Sequence, residues 1–108
     1  MGLLSHKEWT EVAEEAEFEG EDRKFVDLGG ENQLGLFKVE DTYYAISAWC
    51  SHQKTSLVHG EIDGCEIMCP LHGARFDLKN GKALSMPAVK PVASYPVKVE
   101  SGKIYVKI

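Results

Sequence analysis

The chain has 108 residues, 44% of them hydrophobic and 27% charged, with a formal net charge of −5. That is one domain's length with a globular composition, and its acidic balance argues against a nucleic-acid partner, which needs a basic face. No apolar run approaches membrane-spanning length, and the opening MGLLSHKEWTE lacks the basic region and apolar core of a signal peptide. Helical periodicity is weak throughout, while short alternating or β-branched runs dominate. They predict strands over residues 9–13, 24–28, 33–39, 42–47, 66–69, 75–77, 94–100 and 103–107. Turn signals lie between them at Gly29-Gly30, Glu40-Asp41, Asn80-Gly81 and Ser101-Gly102. The last two strands read as a hairpin, with Pro96 at an edge or an irregular start. Trp9, Phe25, Phe37, Tyr43, Ile46 and Trp49 are expected in the core. The expected fold is all-β, a single domain over 1–108, with a long irregular stretch from Cys50 to about Gly64. Long irregular segments in compact domains usually carry function.

The charge is uneven. Residues 1–49 carry four Lys/Arg against twelve Asp/Glu, and residues 50–108 carry eight against five. Much of the acid sits in EVAEEAEFEGED, residues 11–22. The plain reading of that run is a solvated loop; the sharper one is an acidic patch that steers a basic partner. Three cysteines make an odd count, which disfavours a disulfide framework and favours metal binding. Reduced thiols and the absence of a signal pattern give a cytoplasmic expectation. His6 stands where a myristoylation pattern wants Ser or Thr.

Two compact pairs carry the chemistry: Cys50-x-His52 and, after sixteen intervening residues, Cys69-x-x-His72. A lone Cys is usually a small buried hydrophobe, and a lone His needs no special role. Two matched pairs, each running from a predicted strand into a Gly- or Pro-containing loop, are a different matter. Zinc takes Cys₂His₂ tetrahedrally, but its usual spacings pair Cys with Cys and His with His. A [2Fe–2S] centre with two Cys on one iron and two His on the other accounts for one mixed pair in each loop.

CSH, sixteen residues and then CPLHG resemble the Rieske family signature, followed by ARFDLKNGKAL in the family's style. MPAVKPVASYPVKV resembles the family's proline-containing third loop and the strand after it, and WTEVAE and LFKVEDTYYAISAWCSH resemble its opening half. High-potential Rieske proteins of respiratory and photosynthetic complexes have an extra Cys in each cluster loop, the two joined as a disulfide. Here Lys54, Thr55 and Ser56 follow the first pair, Gly73, Ala74 and Arg75 the second, and Cys65 is the one spare thiol. Oxygenase catalytic subunits carry a large second domain, for which 108 residues leave no room. The chain is most similar to the small Rieske-type ferredoxins of multicomponent aromatic-ring dioxygenase systems.

The resemblance implies a Rieske-type iron–sulfur domain of small antiparallel sheets, with residues about 48–86 as the cluster-binding part. It implies one [2Fe–2S] cluster held by Cys50, His52, Cys69 and His72, with no catalytic residue. It further implies a monomeric cytoplasmic carrier of single electrons from a flavoprotein ferredoxin reductase to a terminal oxygenase, with no membrane partner. Two neutral imidazoles in place of two thiolates raise the potential from about −400 mV for plant-type ferredoxins into roughly −150 to +300 mV. The lower end of that window is expected, because the loop disulfide is missing. A docking surface is expected around the histidines, rimmed by Gln53, Leu71 and Pro87. His59 reads as an exposed loop residue. Cys65 reads as a buried thiol, at even spacing from Cys69 on the predicted strand. Two other readings remain: a small Rieske subunit of a nitrite-reductase-like oxidoreductase, and a zinc-stabilised interaction module.

Overall fold

A computed structural model describes residues 9–30, 32–50, 56–70, 73–85 and 90–108. Their regular elements are ten strands and two short 3-10 turns: β1 Trp9–Glu14, β2 Arg23–Asp27, β3 Gln33–Val39, β4 Thr42–Ser47, β5 Glu61–Asp63, β6 Glu66–Met68, β7 Arg75–Asp77, β8 Ser94–Tyr95, β9 Val97–Glu100 and β10 Lys103–Lys107, with the turns at Glu15–Phe18 and Leu57–His59. The all-β expectation holds. Three antiparallel sheets form, in the orders β1-β10-β9, β2-β3-β4-β8 and β5-β6-β7.

The middle sheet organises the other two. Successive side chains of a strand point to opposite faces, yet Leu34, Leu36 and Phe37 on β3 are all fully buried. Both faces must therefore be covered. Leu34 and Leu36, with Tyr43 and Ala45 of β4, pack against Val12, Ala13, Ile104 and Val106 of the β1-β10-β9 sheet. Phe37 and Ile46 point the other way, into a second cluster with Leu57, Ile67, Ala74, Phe76 and the two cysteines Cys50 and Cys69. The register shifts between Glu11 and Ala13 of β1. Such a bulge lets the adjacent Val12 and Ala13 both turn inward.

The Glu40-Asp41 turn joins β3 to β4 with φ of +47° and +67°, and Ser101-Gly102 joins β9 to β10 with +52° and +76°. Positive φ at both central residues is the two-residue hairpin geometry that matches strand twist.

Four expectations need correcting. The predicted strand over 94–100 is two strands in two sheets, β8 on β4 and β9 on β10, because Pro96 between them has no N–H for a ladder. The stretch from Cys50 to Gly64 is not irregular to its end, since it holds the Leu57–His59 turn and β5. The acidic run is more than a solvated loop. Its Glu15–Phe18 turn drives Phe18 into the core, edge-on to Tyr43 with ring centroids 5.2 Å apart. Phe25 and Trp49 are 43% and 40% exposed, respectively. Val26 takes the inward position on β2, which leaves Phe25 on the other face of an edge strand.

Replacing Leu36 by Ala should lower stability by about 2–5 kcal/mol in urea unfolding, because a fully buried side chain leaves a cavity. Phe25→Ala should cost about 0.5 kcal/mol or little more. An equal loss at the two positions would put Phe25 back in the core.

Candidate metal centre

Cys50 follows the end of β4, and Cys69 follows the end of β6. The two come from different sheets, 19 positions apart, yet both are buried, at 6% and 2% exposure, in one apolar cluster. Leu57, Ile67, Ala74 and Phe76 belong to the same cluster. None of the three cysteines is in a disulfide. His52, Gln53, Leu71, His72 and Pro87 lie outside the described residues. Among the described residues no three His, Cys, Asp or Glu side chains converge, so the described part of the candidate centre is the cysteine pair.

Each cysteine stands at the neck of a loop that backbone hydrogen bonds close. For the first, the Leu57 N–H donates to the Ala48 carbonyl at 2.7 Å, and Trp49 bridges Ser56. The Ser56 hydroxyl then caps the 3-10 turn, accepting from the Val58 N–H at 3.2 Å. Trp49, beside Cys50, is held by its backbone N–H to the Ser47 hydroxyl and by its indole N–H to the Gln33 side chain at 2.8 Å. For the second loop, the Cys69 N–H donates to the Ala74 carbonyl at 2.6 Å, and the Gly73 N–H donates to the Cys69 carbonyl at 3.1 Å.

A third neck flanks the segment that holds Pro87. On one side, the Leu84 N–H donates to the Arg75 carbonyl at 2.7 Å, and the Ser85 hydroxyl accepts from the Arg75 N–H at 3.1 Å. On the other, the Val92 N–H donates to the Gly81 carbonyl at 2.8 Å. Gly81 has φ of +77°, and a Cβ there would overlap the Val92 carbonyl oxygen, so this neck requires glycine.

The bystanders separate cleanly. His59 is exposed at the end of its 3-10 turn. Cys65 is half-buried in the turn ahead of β6, and does not share a strand with Cys69. A hydrogen bond with Cys65, and then burial, hold the Tyr44 phenol above its ordinary pKa. Cys65 and Tyr44 border a 320 Å³ open cavity with Thr42, Glu40 and Lys79.

Sequence reasoning missed Arg23. From β2 its guanidinium donates to the carbonyls of Val58, at 2.9 Å, and Gly60, where the chain leaves the first loop. No local signal links positions 35 and 37 residues apart. The Asp22 carboxylate accepts from Arg23 Nε at 2.8 Å, and this bond holds the Asp22 carboxyl below the usual carboxylate range.

The donor set suits an iron–sulfur group. Two buried thiols outside any disulfide sit together in an apolar cluster, each followed within three residues by a histidine in the sequence. Comparison with known proteins agrees. The Rieske [2Fe-2S] domain family matches residues 8–96. The 3-phenylpropionate/cinnamic acid dioxygenase ferredoxin subunit of Escherichia coli K12 is 45% identical over 76 residues, which is 69% of this chain and 72% of that one. The ferredoxin of carbazole 1,9a-dioxygenase from Nocardioides aromaticivorans IC177 superposes with a TM-score of 0.84 at 33% identity, over 92% of this chain and 96% of that chain. A ferredoxin-length chain from a complex of reduced oxygenase and oxidised ferredoxin in carbazole 1,9a-dioxygenase superposes at 0.86 and 31% identity, over 93% of each.

The Asp22–Arg23 pair has a pH signature. A carboxylate with a lowered folded pKa contributes stability above its unfolded value, and loses it as pH falls through the folded one. Asp22→Asn should therefore be less stable than the parent at pH 7, by under about 1 kcal/mol for so exposed a pair. The gap should close as pH drops below about 4. Urea unfolding at stepped pH measures it, and a gap that widened in acid would contradict the assignment.

Proposed function

The chain belongs to the Rieske [2Fe–2S] family, and from that premise we propose that it is a ferredoxin of an aromatic-compound dioxygenase system. It carries single electrons to a terminal oxygenase and is not itself an enzyme. The relatives named as dioxygenase ferredoxin subunits, and the solved complex of oxygenase with ferredoxin, support this reading. Its electron source is a flavoprotein ferredoxin reductase. The observation that carries the proposal is the burial of Cys50 and Cys69 together, each at the neck of a closed loop.

In this reading Cys50 and Cys69 hold one iron, and His52 and His72 hold the other. When bound, the group supplies a one-electron redox site. The chain's own residues do the rest. Leu57, Ile67, Ala74 and Phe76 pack in the cluster that encloses the two thiols, and so keep water from the sulfurs. The loop necks fix where each cysteine starts, which limits rearrangement when charge changes.

Partners dock where the loops end, with Gln53, Leu71 and Pro87 at the rim. Two exposed apolar side chains support that placement: Trp49 beside the first loop and Leu84 ahead of the third. Small, weak interfaces suffice for such encounters. Residues 1–108 form one domain, with about 48–86 as the cluster-binding part. The Ala48–Leu57 neck and the Leu84–Arg75 bond, near the two ends of that span, fit this division. The protein works as a monomer in the cytoplasm, a reducing compartment that suits three cysteines outside disulfides.

Purified protein should be coloured and carry about two irons and two acid-labile sulfides per chain. Cys50→Ala, His52→Ala, Cys69→Ala and His72→Ala should each lose them, while Cys65→Ser and His59→Ala keep them. Stoichiometric zinc without sulfide would end the proposal. Bleaching by Cys65→Ser but not by His72→Ala would refute the ligand assignment. Stopped-flow reduction of the oxygenase should slow for glutamate substitutions at Gln53, Leu71 or Pro87 while the visible spectrum stays the same.

A further inference from the structure

Cys50 belongs to the end of the middle sheet and Cys69 to the end of the small β5-β6-β7 sheet. Their separation is therefore set by how one sheet docks on the other. We propose that Arg23 is a positioning residue for the cluster: from the edge strand β2 it ties the small sheet to the middle sheet, and so fixes Cys69 relative to Cys50. The inference rests on the ligand assignment proposed above.

The path is short and continuous. The carbonyls at the end of the Leu57–His59 turn lack helical partners. Arg23 Nη1 supplies donors to two carbonyls there, those of Val58 and Gly60. Gly60 lies against the small sheet so closely that a Cβ would overlap the Met68 carbonyl oxygen. The next residue, Glu61, begins β5 and pairs with Met68, the neighbour of Cys69. Holding Gly60 thus holds the strand that presents Cys69.

The guanidinium is itself fixed. Asp22 accepts from Nε at 2.8 Å and from Nη2 at 3.4 Å. The charge also lies over the Phe37 ring, 6.0 Å from its centroid, and Phe37 is buried in the same cluster as both cysteines. A planar fork can use separate N–H groups for carboxylate and carbonyl at once, whereas an ammonium is a single point on a flexible stem. Lysine is therefore a poor substitute here.

Lys24, the next residue, provides an internal comparison. Strand alternation sends it to the opposite face, where its Nζ donates to the Val12 carbonyl at 2.9 Å and to Glu17 at 2.7 Å. It ties the middle sheet to β1, away from the cysteines. Neighbouring cations on one edge strand thus clamp the two outer layers, and only one clamp bears on the metal centre.

The experiment compares Arg23→Ala, Arg23→Lys and Lys24→Ala with the parent protein. Three readouts are taken: urea midpoint, bleaching of visible absorbance under an iron chelator, and the electron paramagnetic resonance signal of the reduced protein. Arg23→Ala should bleach about tenfold faster or more, as expected for losing charged hydrogen bonds, with shifted or broadened g-values. Arg23→Lys should fall between it and the parent. Lys24→Ala should lower the urea midpoint while keeping the parent's bleaching rate and g-values. Should Arg23→Ala not fold, Arg23→Lys against Lys24→Ala decides alone. Equal bleaching in the Arg23 and Lys24 variants would reduce Arg23 to a general stabiliser and overturn the inference. Parent protein without iron and sulfide would instead overturn the ligand assignment. In that case amide exchange at Leu57 and Gly60 still judges the clamp: faster in Arg23→Ala than in Lys24→Ala upholds it, and equal rates reject it.

Discussion

The constraint on which the molecule depends is that its middle sheet is covered on both faces. A strand that alternates apolar and polar residues can serve one core. LGLF in β3 serves two, with Leu34 and Leu36 facing one and Phe37 facing the other. The first core is ordinary sheet-on-sheet packing and needs nothing from the cysteines. The second has a different composition, since two of its buried members are thiols and its covering layer is three strands of three residues each. Such short strands form a marginal sheet when left alone. The docking of that layer on Phe37 and Ile46 is what brings two distant cysteines into one environment.

Loop closure follows from the same arrangement. A redox site changes charge without changing composition, and a loose site would rearrange each time. Here each cysteine is pinned at a neck of backbone hydrogen bonds, and a third neck holds the segment beyond Leu84. Metal binding and folding are coupled in such sites, but the necks are made of bonds that do not involve the metal. The cysteines are therefore presented as a pair by the polypeptide itself.

How much of this was legible in the sequence depended on how local each feature is. Strands over 33–39, 42–47, 75–77 and 103–107 agree with the structure at both ends, because alternation and a turn signal sit within a few residues of each boundary. The two Cys-His pairs stand out in the sequence for the same reason, since their spacing is short and unlike that of zinc fingers, and the structure buries their two cysteines together. Strand β5 was not, since EID offers one apolar residue and becomes a strand only through pairing with β6. Nor were Phe25 and Trp49, whose aromatic character suggested core while an edge-strand position and a loop neck leave them exposed. That Cys50 and Cys69 share one cluster, and that Arg23 reaches Gly60, are facts of tertiary packing, on which no window of sequence bears.

The charge pattern changes meaning once it is placed. As a string, the acidic run precedes the Cys-His motif. In the fold, Glu11 and Glu14 belong to β1, and the Glu15–Phe18 turn is anchored by Phe18 in the core that lacks the cysteines. Lys24 further holds Glu17 as a carboxylate, its pKa lowered by that hydrogen bond and then by the Glu14 N–H. On the small sheet, Arg75 answers both Asp63 and Glu66, at 3.2 and 3.3 Å. Asp63 and Glu66 of the small sheet are thus paired locally with Arg75, while Glu11, Glu14, Glu15 and Glu17 belong to the layer on the other side of the middle sheet. Exposed charges more than a Debye length apart, about 8 Å at physiological salt, are largely screened. Distant acid can bias the approach of a basic partner without taking part in the contact. In the docking proposed above, the contact draws on apolar groups at the loop necks, of which Trp49 and Leu84 are exposed examples. Such groups are cheap to desolvate, and they let a carrier bind, exchange one electron and leave.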